Sequence, residues 1–149
     1  MSYGNVYVGQ IAMGANPTQT VKAVTEAEQF EGVSLVIAYS PCIAHGIDMS
    51  TQMSHQKEAA DSGFWPLFRY DPGRELVGQP GLRLDSRQPS IPFTEFASKE
   101  ARFSMLARAN PDRAAELVAA AQKDIDDRWH LYEQMVHIHR TAEYTEDEE

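Results

Sequence analysis

The sequence predicts an α/β domain built on a mostly parallel sheet, with a helical extension at its C-terminal end. Three observations carry that expectation. Val6–Met13 and Leu35–Tyr39 are short apolar runs rich in β-forming residues. Between them Val21, Val24, Ala27 and Phe30 recur at helical spacing. The last third of the chain, from Phe93 onward, keeps a helical period over long stretches. Strand, helix, strand with short connections is a βαβ unit, whose strands are parallel and whose crossover is normally right-handed.

In order along the chain, Val6–Met13 reads as the first strand and Gly14-Ala15-Asn16 closes it. Asn16 is a good N-cap, Pro17 suits the first helical position, and Gln19 completes a pattern like a capping box. The helix runs to Phe30, Gly32 ends it, and the central strand begins near Ser34. Ser50 to Ser62 reads as a helix with a weak apolar face of Met49, Met53, Ala59 and Ala60, ended by Gly63. Phe64–Tyr70 reads as a third strand in which Pro66 implies a late start or an edge position. Asp71 to Pro92 is rich in Gly and Pro and reads as loop, with a short extended piece at Leu82–Leu84. Phe93 to Ala107 reads as one helix. Asn110-Pro111 then opens a long helix from Asp112 to about Arg140, with a stripe including Ala114, Leu117, Ile125, Trp129 and Tyr132. At 1.5 Å per residue, that helix would be about 43 Å long, more than a domain this small can cover. Part of it is therefore expected to pack on something else. The expected organisation is 1–92 as the α/β part, 93–140 as the helical extension, and 141–149 as a disordered acidic tail.

The chain is organised around Ser34–Ile47, where a buried-type strand ends at Ser40-Pro41 and delivers Cys42, His45 and Gly46 on a loop. Open α/β sheets place their chemistry at such strand ends. Cys42 is the single cysteine. As a nucleophile it needs a base, and Cys-x-x-His within one loop is not a recognised catalytic spacing. As a metal ligand it needs companions, since one thiolate and one imidazole do not complete a zinc site. A small cysteine without chemistry is the plain alternative. His55, His130, His137 and His139 fall on expected helices and read as solvated residues. No G-x-G-x-x-G, Walker A or Gly-Asp-Gly pattern occurs.

Composition narrows the function further. A net charge of −9 disfavours nonspecific nucleic-acid binding, which needs Lys and Arg against phosphate. Five acids cluster between Glu143 and Glu149. A lone cysteine makes no internal disulfide and suits a reducing cytosol, so a cytoplasmic location is expected. No secretory signal and no apolar run long enough to span a bilayer is visible.

Several stretches together resemble a known family. They are Val8–Ala15, Ala27-Glu28, Ser34–Gly46 with its Tyr39-Ser40-Pro41-Cys42-Ile43 core, Ser62–Pro72 and Leu84-Asp85-Ser86. In this order they are similar to the last domain of pyruvate:ferredoxin (flavodoxin) oxidoreductase, from about residue 5 to 136. The resemblance implies the C-terminal half of a thiamine-diphosphate-binding fold. It implies membership in an enzyme that oxidatively decarboxylates pyruvate with coenzyme A, using Mg, thiamine diphosphate and 4Fe–4S clusters, and passes electrons to ferredoxin or flavodoxin. It carries over one site residue, Cys42, as the fourth ligand of the cluster nearest the thiamine. The motif that binds Mg and diphosphate precedes the matched region and maps to no position here, and neither do the other three cluster ligands.

The Met start and acidic end read as a complete short reading frame rather than a cut domain, and the chain is expected to be a split subunit or a fragment of the oxidoreductase. The isolated chain is expected to be inactive and to bind no cofactor, with the missing upstream part of the oxidoreductase as its partner or a second copy of itself covering the open sheet edge. Two alternatives remain: a non-catalytic binding or scaffold module derived from that domain, and a cysteine-dependent enzyme using Cys42 and His45.

Overall fold

The first strand, β1, spans Val6–Ile11 and forms the inner strand against which the rest of the sheet is laid. In the computed structural model, which describes Met1 and residues 4–138, eight further helices and strands follow: α1 (Pro17–Gln29), β2 (Val33–Ala38), α2 (Gln52–Asp61), β3 (Phe68–Tyr70), β4 (Leu82–Leu84), α3 (Phe93–Ala97), α4 (Ala101–Ala109) and α5 (Pro111–Met135). Expectations about His139 and the acidic tail lie outside the described residues.

The chain is α/β, as expected. The βαβ unit is present: β1 and β2 pair in parallel from Val6 opposite Val33 to Ile11 opposite Ala38. β3 then joins the other side of β1 antiparallel, and β4 joins β3 antiparallel, giving the order β2-β1-β3-β4. α1 starts as the sequence dictates, with Asn16 Oδ1 accepting from the Gln19 amide at 2.9 Å and Pro17 in the first turn.

Alternate residues of a strand point to opposite faces, and here each face has its own cover. Tyr7, Gly9 and Arg69 face α1: a Cβ on Gly9 would lie 3.4 Å from that of Ala23, and Tyr7 packs its ring against Phe30. Val8, Phe68, Tyr70 and Leu82 face the C-terminal end of α5, where Tyr132, Met135 and Val136 pack on them. A second core joins Ala59 of α2 to Phe93, Phe96 and Ala97 of α3 and Ile125 of α5.

Several expectations are corrected in detail. The third strand is only Phe68–Tyr70, because Pro66 lacks the amide a ladder needs and Gly63, at φ +72°, turns the chain before it. The stretch Phe93 to Ala107 is two helices, not one. Glu100 is extended between them (φ −104°, ψ 126°), its side chain drawn into the interior. Met49–Thr51 forms a separate 3-10 turn ahead of α2. Met49 and Met53 are exposed, and the buried face of α2 is His55, Gln56, Ala59 and Ala60. A 3-10 turn, Pro72–Val77, interrupts the expected loop. α5 ends at Met135, five residues before the expected Arg140.

Strand β2 sits at the sheet edge with one neighbour. Its Val33, Leu35 and Ile37 lie on the face that α5 covers further along the sheet, but α5 does not reach them. They are 68%, 50% and 37% exposed. A six-residue parallel strand of buried-type sequence thus ends the sheet with open backbone and an open apolar face, an arrangement that natural proteins normally cover.

Candidate functional site

The loop after β2 is pinned at both ends and exposed at its tip. The Tyr39 amide donates to Ile11 O at 3.0 Å, holding the chain beside β1 one residue past the strand. Pro41 and Ile47 are buried, whereas Cys42, Ile43 and Ala44 between them are exposed. Ile43–His45 makes one 3-10 turn, in which the His45 amide donates to Cys42 O and the Gly46 amide to Ile43 O, both at 2.9 Å. Gly46 has φ +71°, and a Cβ there would sit 2.3 Å from that of Ala101. Glycine is therefore required both by the left-handed backbone and by the close approach of α4.

The Cys42 thiol is exposed and His45 is half-buried, with no side-chain hydrogen bond between them. The structure does not assemble the nucleophile–base pair. Among the described residues no three His, Cys, Asp or Glu side chains converge as a metal site. A 4Fe–4S cluster is normally held by four thiolates, and this chain's own residues offer one, Cys42. They do not fit such a cluster unaided.

Beneath the loop lies a polar hub that the sequence did not reveal. Glu100 is fully buried, and its carboxylate accepts from three elements: the Tyr39 hydroxyl at 3.2 Å, His55 Nε2 at 2.9 Å, and Arg102 Nε. His55 stacks on Phe96 at 4.7 Å between ring centres. His55 Nδ1 lies 3.8 Å from Glu58, which is paired with Lys99. The expectation that His55 is solvated is wrong: it is 4% exposed. A buried carboxylate keeps its charge only when paired and hydrogen-bonded, and Glu100 recruits His55 for that purpose. His130, by contrast, is exposed on α5 beside Glu133, and His137 is exposed past the end of that helix. The two do not share a helix. The signal available for the hub was slight: Glu100 and Arg102 break an otherwise apolar helical period. Burial, then the charge and hydrogen bond of Glu100, push the Tyr39 phenol well above its ordinary value, so it stays a donor.

A second buried network secures α1. Arg69 donates from Nε and Nη2 to the two oxygens of Asp85, at 2.7 and 2.8 Å, and from Nη1 to Glu26 at 2.5 Å. Tyr7 donates to the other Glu26 oxygen at 3.1 Å. The bidentate pair with Asp85 holds the guanidinium above even its usual range. Asp85, part of the Leu84-Asp85-Ser86 motif, thus has a structural task. A polar cleft of about 430 Å³ opens nearby, carrying Lys57 and Arg87 against Asp61 and Asp85. Its charges are balanced, with Lys57 bonded to Asp61, so it has no excess charge to draw an ionic ligand. An apolar groove of about 670 Å³ runs between α4 and α5, lined by Phe103, Leu106, Leu117 and Val118 among others.

Fold and site together define a mixed α/β unit with an open, apolar sheet edge at β2 and a thiol presented on the loop that follows it. Comparison with known proteins shows what this unit is similar to. No family model matches the chain. Over 133 residues, 89% of the chain, it is 52% identical to the pyruvate-flavodoxin oxidoreductase of Trichormus variabilis. It is 46% identical over 138 residues to that of Rhodospirillum rubrum, and 42% identical over 135 residues to the pyruvate:ferredoxin oxidoreductase of Moorella thermoacetica. The chain spans only 11–12% of the length of these relatives. It is a homologue of one segment of the pyruvate-flavodoxin/ferredoxin oxidoreductases.

Proposed function

We propose that this chain works as one segment of a 2-oxoacid (pyruvate):ferredoxin or flavodoxin oxidoreductase, completed by the part of the enzyme that precedes it. The observation that carries this reading is the open β2 edge. Val33, Leu35 and Ile37 form an apolar row beside unpaired strand backbone, next to the loop that bears Cys42. Full burial of an exposed side chain of this kind is worth roughly 1.5–3 kcal/mol, so covering the part of these three that remains exposed would contribute roughly 2–5 kcal/mol in all. The homology to about one ninth of a larger oxidoreductase supplies a natural cover: the rest of that protein.

In the completed enzyme Cys42 would hold the 4Fe–4S cluster through one thiolate, and the upstream part would supply the other three ligands together with the Mg and thiamine diphosphate site. The cofactors of the completed enzyme would supply the oxidative decarboxylation of pyruvate with coenzyme A, which releases carbon dioxide, two electrons and the proton of the thiol. This chain's part is to complete the sheet and present Cys42 outward on a fixed loop. Alone it is expected to be inactive, in the cytoplasm as elsewhere.

The test is to add the upstream half and follow cluster and cofactor. Absorbance of a 4Fe–4S species that forms only in the mixture, and is lost in Cys42→Ala, supports the reading. Tight binding of thiamine diphosphate by the isolated chain in calorimetry counts against it. The second reading, a scaffold module derived from the same segment, is favoured by the apolar α4–α5 groove. A stable homodimer with no affinity for the upstream half would select it.

A further inference from the structure

We propose that Glu100 is the positioning residue for Cys42, fixing the loop on which the thiol is presented; the inference rests on the reading of Cys42 as an outward-facing ligand. Three observations converge on it. Glu100 is fully buried and accepts from Tyr39, three residues before Cys42, at 3.2 Å. Its neighbour Ala101 sits where a Gly46 side chain would be, so the far end of the loop rests on the first residue of α4. His55 at 2.9 Å and Arg102 then lock the carboxylate itself from α2 and α4.

The hub therefore grips the loop on both sides of an exposed tip. A ligand whose thiol must meet a partner chain gains from such a grip, because the loop is ordered before the partner arrives and less freedom is lost on docking. A buried charged set adds little net stability over a wholly apolar replacement of similar shape, so a purely structural role would be served as well by apolar side chains at positions 39, 55, 100 and 102 together. Charge at this point serves definition, since hydrogen bonds fix the angle at which Tyr39 leads into the loop.

The experiment uses the isolated chain, whose single cysteine takes a nitroxide spin label without further engineering. In the wild-type chain the label at Cys42 should show a large immobilised component. Tyr39→Phe removes one donor while keeping the ring, and should release part of that component; Glu100→Gln should release most of it. Gln19→Ala, which removes the hydrogen bond from Gln19 Nε2 to Asp85 at 3.1 Å and so disturbs the Arg69 network away from the loop, should lower the melting temperature and leave the label unchanged. Glu100→Asp, which keeps the charge, should restore part of the immobilised signal lost in Glu100→Gln. If Glu100→Gln does not fold, Tyr39→Phe decides. An unchanged spectrum in Tyr39→Phe and in any folded Glu100 variant overturns the proposal, as does equal loosening in Gln19→Ala. No cluster is needed for this readout. A rigid loop that captures no cluster with the upstream half would refute the proposed function and leave the positioning role standing.

Discussion

Glu100 shows how much one side chain decides. Its carboxylate sits in the interior with three donors around it, and the helix that the apolar period implies is broken so that it does. Truncating one member of a buried charged set leaves the others unpaired, which typically costs about 3–5 kcal/mol. Glu100→Ala is therefore expected to lower the free energy of unfolding by that amount in urea titrations. Tyr39 and Tyr7 give a second residue-scale expectation. Burial, followed by the carboxylates of Glu100 and Glu26 respectively, raises both phenols. A group whose value is raised on folding stabilises the fold fully below its unfolded value, near 10 for tyrosine. That contribution is lost as pH rises through the folded value. Stability should thus fall with alkali from about pH 10 upward, where the unfolded phenols begin to ionise. The phenolate absorbance of both tyrosines should appear together with unfolding, and Tyr39→Phe should remove one of the two late-titrating groups.

Elements were legible where the period and the punctuation agreed. Asn16-Pro17 and Asn110-Pro111 set the starts of α1 and α5, because in each case the asparagine side chain accepts an amide three residues on. The strands β1 and β2 followed from apolar runs bounded by Gly and Pro. Partners across the sheet were not legible: nothing in Phe68–Tyr70 or Leu82–Leu84 states that they add antiparallel to β1, since three-residue strands take their direction from tertiary contacts. The break between α3 and α4 was hidden for a related reason. Local period reports which face is apolar, and cannot report that a carboxylate will find Tyr39 and His55 from distant parts of the chain. Cys42 was visible from its strand-end position and family motif, while the hub under it was not. Two element-scale tests follow. Gly46→Ala places a Cβ in the space of Ala101 and in a left-handed backbone, so a loss of about 1–3 kcal/mol is expected by thermal or urea unfolding. Trp129→Ala removes a buried ring of α5 and should cost about 3–5 kcal/mol.

At the scale of the whole molecule, the two edges of the sheet differ in length and in what they expose. The far edge strand, β4, is only three residues long, whereas six-residue β2 offers its ladder and its apolar row to whatever adjoins it. Leu35→Lys should change the stability of the isolated chain by no more than about 0.5 kcal/mol, because the side chain is half exposed there. The same substitution should abolish association, because a completed sheet would bury the charge. This separation of stability from assembly is what distinguishes a docking edge from an ordinary surface strand. The most direct measurement is the mass in solution by light scattering, for the chain alone and with the upstream half of the oxidoreductase. The expected result is a complex of the two halves that the wild-type chain forms and Leu35→Lys does not. A chain that stays a stable oligomer of itself and ignores the upstream half would contradict it.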